Sequence, residues 1–163
     1  MPSEEKVWEM ITKIHMPTDK KVTKIISENI MKIPKSTTAV SYLVKDFDWS
    51  DDKSEKRMKN ALYKYALKVR KDEVVGFIDT SLFGNGGSGI LFSKYGIAFE
   101  YIFRKVFVKY EEIDRMEIKN GKELFLYGDF EENKEACKKL SIDNIYYNLP
   151  ALKGCLEEIM YVT

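Results

Sequence analysis

The stretch of chain between residues 73 and 127 constrains the fold most, because its apolar residues alternate and most of the nine glycines lie within it. Alternation of this kind predicts strands that bury one face. We predict strands at 73–79, 89–93, 97–103, 105–110, 113–118 and 123–127. Asn120-Gly121, between the last two strands, is the strongest short signal for a hairpin turn. The region is therefore expected to form a curled antiparallel sheet.

The first part of the chain, residues 1–70, carries apolar residues at helical spacing. Helices are predicted at 3–16, 18–33, 36–47 and 54–70. Pro17 and Pro34 end the first two, because proline disrupts a helix interior. The segment 36–47 contains β-branched residues, which would also suit a strand. The helix at 54–70 is the most clearly amphipathic, with lysines and arginines on its solvent face.

The C-terminal part of the chain is predicted to finish with a strand and a helix. Glutamates precede lysines within 128–139, which is the charge order that a helix dipole favours. A last strand is predicted at 141–147, and a closing helix at 149–161. Pro150 suits the first turn of that helix, where its missing N–H removes no hydrogen bond.

The composition predicts a folded protein whose net charge creates no strong electrostatic field around it. The chain has 163 residues, of which 44% are hydrophobic and 13% aromatic, enough for a sizeable core. Its 27 basic and 26 acidic residues leave a formal net charge of +1. Proteins that bind nucleic acid usually carry a basic surplus, so we expect no nucleic-acid partner.

The hydropathy of the sequence and its two cysteines favour a cytoplasmic location for the protein. No segment is long and apolar enough to predict a membrane span, and the sequence starts without the basic and apolar regions of a secretory signal. The spacing of Cys137 and Cys155 suggests neither a disulfide framework nor a zinc site. We expect reduced thiols, no metal and no cofactor.

The glycine-rich segment between the first two predicted strands matches the spacing G-x-G-x-x-G at residues 84–89. In dinucleotide-binding proteins that loop opens a helix, whose N-terminal amides hold the pyrophosphate. Here the residues after Gly89 predict a strand, so we interpret the match as accidental. Phe83, Asn85 and Ser88 are the candidate binding residues of this segment, and Phe83 is the aromatic residue expected to be most exposed.

Candidate catalytic residues are few. His15 is the single histidine, which excludes a multi-histidine metal site, and it is expected to cap a helix or lie on the surface. Adjacent acidic pairs point to different faces of an element and do not converge. Asp79 is expected to cap the start of the glycine-rich segment. We therefore predict no catalytic residues.

The residues at 73–79, the glycine-rich segment, the run at 89–97 and the later Lys109-Tyr-Glu-Glu-Ile-Asp114 together resemble a bacterial pleckstrin-homology-like domain. The resemblance covers about residues 71–163. It implies a strongly bent, seven-stranded antiparallel barrel closed by the C-terminal helix, with the helical region 1–70 packed against it. The expected fold class is α+β.

The family resemblance also bears on partners. Members that bind phosphoinositides place lysines and arginines around the loop between the first two strands, whereas residues 80–88 here contain none. Lipid headgroup binding is therefore not expected. The fold hosts many unrelated functions and does not itself define one.

We expect a non-catalytic, cytoplasmic module that binds another protein. One alternative is an immunity or antitoxin protein that neutralises a cognate bacterial toxin, since such proteins are small and lack catalytic motifs. A second alternative is an enzyme with a cleft between the two halves, using Asp79, His15 or a glutamate.

Overall fold

The computed structural model describes residues 3–6, 16–132 and 135–163 and has an α+β architecture. The helices discussed below are α1 (Thr18–Asn29), α2 (Asp52–Lys64) and α3 (Leu149–Val162). The strands are β1 (Val40–Leu43), β2 (Val74–Asp79), β3 (Gly89–Ser93), β4 (Gly96–Tyr101), β5 (Arg104–Lys109), β6 (Ile113–Lys119), β7 (Glu123–Glu132) and β8 (Glu135–Asp143).

The strands form two antiparallel sheets. The first sheet has the order β1-β2-β3-β4-β5, and the second has the order β6-β7-β8. A short 3-10 turn, Tyr110–Glu112, carries the chain from one sheet to the other. The sheets are not closed into one barrel by a continuous ladder in the described part of the chain.

A second connection between the two sheets lies near the start of α3. Pro34, upstream of β1, forms an isolated antiparallel bridge with Tyr147, downstream of β8. The Lys35 amide donates to the Tyr146 carbonyl at 2.8 Å, and the Asn148 amide donates to the Ile33 carbonyl at 2.7 Å. The N-terminal part of the chain therefore helps to join the two sheets.

Two apolar clusters lie on opposite faces of the first sheet. The larger cluster contains the inner faces of both sheets together with the buried residues of α1 and α3. The smaller cluster packs α2 against the other face of the first sheet, where Met58 and Ala61 lie in the same cluster as Phe77 and Leu91. Because apolar groups cover both faces, every residue of β2 is buried.

Several sequence predictions are confirmed. The predicted strands that begin at residues 73, 89, 97, 105, 113 and 123 all occur, with ends shifted by a few residues. Asn120 and Gly121 have φ values of 55° and 65°, as a two-residue hairpin turn requires. The closing helix is present as α3, with Pro150 in its first turn.

Two segments with helical signals form strands instead, because strand pairing overrides local signals, and for the first of them a strand was the alternative. The segment predicted as a helix at 36–47 contains β1, whose residues pair with β2 from Val40 opposite Asp79 to Leu43 opposite Gly76. In the segment 128–139, residues 128–132 lie in β7 and residues 135–139 lie in β8, so its described residues form strands and not a helix. Its charge order is a weaker signal than a continuous antiparallel ladder.

Other predicted boundaries are shifted. The helix predicted at 54–70 is α2, which starts earlier because the Asp51 side chain accepts from the Lys53 amide. It ends at Lys64, where the amides of Tyr65 and Ala66 both donate to the Ala61 carbonyl. The last strand, predicted at 141–147, is β8 and ends at Asp143. The helix predicted at 3–16 falls largely outside the described residues.

None of the helices described here combines the length and hydropathy that crossing a membrane requires.

Candidate functional site

The glycine-rich segment, residues 80–88 and called the glycine loop below, is organised by one buried carboxylate. Asp79 is 3% exposed, and its Oδ1 accepts hydrogen bonds from the Ser81 amide and the Ser81 hydroxyl. Its Oδ2 accepts from the Gly86 amide at 3.1 Å. A carboxylate that accepts several donors at once ties both sides of the loop to the end of β2.

Further polar contacts hold the interior of the loop. The Ser81 hydroxyl also accepts from the Asn85 amide at 2.9 Å, and Asn85 Oδ1 accepts from the Gly87 amide at 2.9 Å. Gly84 and Gly86 have φ values of 64° and 83°, which favour glycine. The loop backbone is therefore stabilised largely by its own side chains.

The loop is also docked on α2. Arg57 Nε donates to the Gly84 carbonyl at 2.8 Å, and Asn60 Nδ2 donates to the Asn85 carbonyl at 2.7 Å. A Cβ at Gly86 would overlap the carbonyl oxygen of Arg57, so only glycine permits this close approach. The contact joins residues far apart in sequence and has no local sequence signal.

The side chains that the tip of the loop exposes to solvent are apolar. Leu82 is 89% exposed and Phe83 is 86% exposed, although the backbone that carries them is held at several points. Leu82 and Phe83 are adjacent, so together they form a small exposed apolar patch, which is a candidate contact site. Phe83 is exposed, as the sequence predicted, but it is not the most exposed aromatic residue, since Phe103 is 102% exposed.

The three predicted binding residues do not form one site. Phe83 lies at the exposed tip, whereas Asn85 uses its side chain within the loop and its carbonyl towards α2. The Ser88 hydroxyl lies 3.1 Å from that of Thr80 and lines a groove on the other side of the loop. Asn85 and Ser88 are therefore structural residues of the loop, and Ser88 also contributes to the groove.

That groove has a volume of about 590 Å³ and lies between the end of the first sheet and strands β7 and β8. Its charged lining residues are Glu100, Glu123, Asp143 and Lys139. Glu123 stands directly opposite Asp143 across the β7–β8 ladder, which is an unfavourable like-charge pairing. In the described part of the chain, no three side chains are placed to bind a metal ion.

Buried tyrosines lie near this end of the molecule. Burial raises the pKa of Tyr147, which lines the groove, although a hydrogen bond with Thr80 opposes the shift. Burial, assisted by the negative charges of Asp79 and Glu100, raises the pKa of Tyr65 well above its usual range. Both hydroxyls therefore stay neutral near pH 7 and act as hydrogen-bonding groups rather than as bases.

Asp79 and Cys155, the described residues with potential catalytic groups, are both buried. The Asp79 carboxylate is buried and occupied by loop donors, and His15 lies outside the described residues. Burial raises the pKa of the free thiol of Cys155 to about 12, so it is a poor nucleophile at neutral pH.

A second exposed tip was missed by sequence reasoning. We predicted a strand through residue 103, but β4 ends at Tyr101 and a two-residue turn, Ile102 and Phe103, leads into β5. Their φ values are 47° and 62°, a region that such residues rarely adopt. Neither residue is a usual turn former, so no local signal could have revealed the turn.

Comparison of the chain with models of known protein families, with curated proteins and with solved structures finds no significant match.

Proposed function

We propose that this protein is a non-catalytic cytoplasmic module that binds another protein through its glycine loop. The observation that carries the proposal is the display of Leu82 and Phe83 on a loop held by Asp79 and α2. Apolar side chains on a rigid backbone lose little conformational entropy on binding. Burial of such side chains against a partner removes apolar surface from water, which favours association.

We also propose that residues 71–163 form a pleckstrin-homology-like domain. Strands β2–β8 are seven in number, divided into four in the first sheet and three in the second, and α3 follows them. This arrangement supports the strongly bent barrel that the family resemblance implies. In this proposal β1 is an additional strand, contributed by residues 1–70 to the edge of β2.

Charge argues against a nucleic-acid partner. The outer face of the second sheet has two central aromatic residues, Phe125 and Tyr127, which could resemble a base-stacking platform. Arg115 already covers the Tyr127 ring at 3.8 Å, and Lys119 and Lys139 lie over Phe125. Charges of opposite sign alternate with these on the same face, namely Glu117, Glu123 and Asp143. The face therefore lacks the basic surplus that a phosphate backbone needs.

The proposal can be tested with a double variant of the loop tip, Leu82→Ser/Phe83→Ser. Tagged wild-type and variant proteins would be used to capture partners from the native cell, followed by affinity measurement with the purified partner. We expect the variant to lose at least about tenfold in affinity, because two exposed apolar contacts are removed. Tyr161→Ser is the matched control, since Tyr161 is 93% exposed on α3, away from the loop.

Equal partner affinity for the wild type and the loop variant would overturn the proposal, provided that circular dichroism shows both to be folded. Turnover of a small molecule by the purified protein would contradict the non-catalytic part. Identification of the partner as a toxin encoded beside this chain would establish the immunity alternative through the same surface.

A further inference from the structure

The hydrogen-bonded ladder between β3 and β4 stops before the two strands do. Its register contains two pairs, Leu91 with Ala98 and Phe92 with Ile97. The next residues of the same register are 88–90 and 99–101, and all six of them line the groove described above. The first sheet is therefore open between β3 and β4 at the end that carries the glycine loop. We call this opening the β3–β4 gap.

The backbone groups of Gly89 point into the gap. The Thr80 amide donates to the Ser88 carbonyl at 3.0 Å, so these two residues form a hydrogen-bonded pair next to the β2–β3 ladder. Because hydrogen-bonded and non-hydrogen-bonded pairs alternate, the N–H and C=O of Gly89 point away from β2. They face the side of β4, with which Gly89 forms no pair.

Glu100 presents the same groups from the other side of the gap. The Tyr110 amide donates to the Tyr95 carbonyl at 3.1 Å, and this pair continues the register in which Glu100 stands opposite Lys105. Alternation along the ladder makes Glu100 and Lys105 a non-hydrogen-bonded pair, so the N–H and C=O of Glu100 point away from β5. Gly89 and Glu100 therefore lie on two strand edges that face each other without pairing.

Each side of the gap ends in an exposed apolar tip. The glycine loop precedes β3 and carries Leu82 and Phe83, whereas the β4–β5 turn carries Ile102, which is 66% exposed, and Phe103, which is fully exposed. The two connections lie at the same end of the sheet because β2, β3, β4 and β5 are successive antiparallel neighbours. A partner that contacts the loop tip therefore reaches the gap beside it.

The second sheet supplies negative charge beside the gap. Glu123 and Asp143 stand opposite each other on β7 and β8, and both line the groove. Both are exposed, and neither forms an ion pair with a residue in the described ranges. Lys139, which also lines the groove, lies over the Phe125 ring at 4.7 Å. Two like charges without a counter-ion favour a ligand that brings a cation.

We propose that the β3–β4 gap binds an extended segment of the partner protein that carries a lysine or an arginine. The backbone of the segment hydrogen-bonds to the strand edges at Gly89 and Glu100, as in β-strand addition. Its cationic side chain meets Glu123 and Asp143. This inference rests on the proposed function, and it specifies the conformation and the charge of the segment that the partner contributes.

The charge of the segment can be tested with three fluorescein-labelled peptides in which Thr and Val alternate with a variable residue. The variable residue is Lys or Arg in the first peptide, Gln in the second and Glu in the third. Fluorescence anisotropy should show the basic peptide binding at least about tenfold more tightly than the neutral one, and no saturable binding of the acidic one. Equal binding of the basic and neutral peptides would overturn the inference.

The backbone contacts can be tested with two further versions of the basic peptide, N-methylated at every second residue in the two possible phases. Methylation removes the N–H groups along one side of an extended segment and leaves its charge unchanged. At least one version should lose at least about tenfold in affinity. Full affinity of both versions would exclude strand addition.

Neutralising the two carboxylates locates the cation. Glu123→Gln/Asp143→Asn should lose at least about tenfold in affinity for the basic peptide, and the second substitution retains an acceptor for the Ile145 amide. The matched control, Glu111→Gln/Asp114→Asn, makes the same change in net charge at two exposed residues outside the groove and should stay within about twofold. Equal losses in the two variants would show a non-specific charge effect and contradict the site.

A proline locates the backbone contact. Glu100→Pro removes an N–H that points into the gap and none that bonds to β5, so the β4–β5 ladder is retained. Affinity for the basic peptide should fall at least about tenfold, with circular dichroism showing a folded protein. The control Glu100→Gln should stay within about twofold, because the Glu100 side chain shares a face with Lys105 directly opposite it. Unchanged affinity in a folded proline variant would overturn the contact.

Two further measurements separate the possible failures. If Glu123→Gln/Asp143→Asn keeps full affinity for the native partner while Leu82→Ser/Phe83→Ser loses it, the inference about the gap fails and the proposed function stands. If neither variant loses affinity, both fail. Sedimentation velocity of the purified protein should show a monomer, and a dimer that Glu100→Pro disrupts would replace the partner segment with a second copy of this chain.

Discussion

The glycine loop and the β4–β5 turn display apolar pairs at the same end of the first sheet, but they are stabilised in opposite ways. The loop uses glycines at left-handed positions, a buried carboxylate and contacts to α2. The turn places Ile102 and Phe103 themselves at positive φ. An exposed apolar tip can therefore be supported by a polar scaffold or held in a strained two-residue connection.

The Asn120–Gly121 turn shows that a two-residue turn with these φ values can form without strain. Its φ values of 55° and 65° are close to the 47° and 62° of Ile102 and Phe103. Asparagine and glycine adopt this conformation readily, whereas a β-branched residue does not. The apolar pair therefore serves something other than formation of the turn.

The largest expected effect concerns the scaffold of the glycine loop. Gly86→Ala should lower the free energy of unfolding by about 3 kcal/mol, because the new Cβ overlaps the Arg57 backbone at a positive φ. Chemical denaturation measures the change. Gly84→Ala is the control, since nothing lies near its Cβ, and the φ of 64° alone should cost about 1 kcal/mol. Equal losses would mean that docking on α2 does not stabilise the loop.

The second prediction removes the charge that organises the loop. Asp79→Asn should lower the free energy of unfolding by about 2 kcal/mol. The NH₂ group of asparagine replaces one of the carboxylate oxygens, so one of the hydrogen bonds from Ser81 or Gly86 loses its acceptor and two donors face each other. Denaturation should show almost no change for Asp114→Asn, an exposed aspartate on β6. A similar stability for both variants would remove Asp79 from its organising role.

The third prediction exchanges the chemistry of the two turns. Ile102→Asn/Phe103→Gly should raise the free energy of unfolding by about 1.5 kcal/mol, because the strain at positive φ is relieved. Thermal and chemical unfolding measure this gain. The reverse exchange, Asn120→Ile/Gly121→Phe, should lower stability by a similar amount. A loss of stability in the first variant would show that Ile102 and Phe103 contribute packing that outweighs their strain.

The smallest predicted effect concerns the buried hydroxyl of Tyr65. Tyr65→Phe should raise the free energy of unfolding by about 1 kcal/mol, because a buried hydroxyl without a partner in the described residues is removed. Tyr63→Phe, at a residue 71% exposed, should leave stability unchanged. Destabilisation by Tyr65→Phe would mean that the hydroxyl already has a favourable partner.

Most of the strands in the two sheets were predictable because their signals are local. Alternation located β2 to β7, and Asn120-Gly121 identified the turn between β6 and β7. The exposure of Phe83 also followed from its place between strands. The role of Asp79 as the cap of the glycine loop was predicted from its position, and its hydrogen bonds agree with that role.

The sequence by itself determined the succession of hairpins and the closing helix, since alternation, turn residues and helical spacing act over a few neighbouring positions. Only the tertiary structure decided that β1 pairs as a strand, that residues 128–132 and 135–139 pair in β7 and β8, and that α2 carries the glycine loop. The pairing of β1 and the docking of the loop depend on contacts between residues distant in the chain, whereas the end of β7 and β8 extends a ladder that includes Glu123 opposite Asp143. Such contacts form only where another strand edge or helix backbone is already in place, and the local propensity of a segment does not encode that partner.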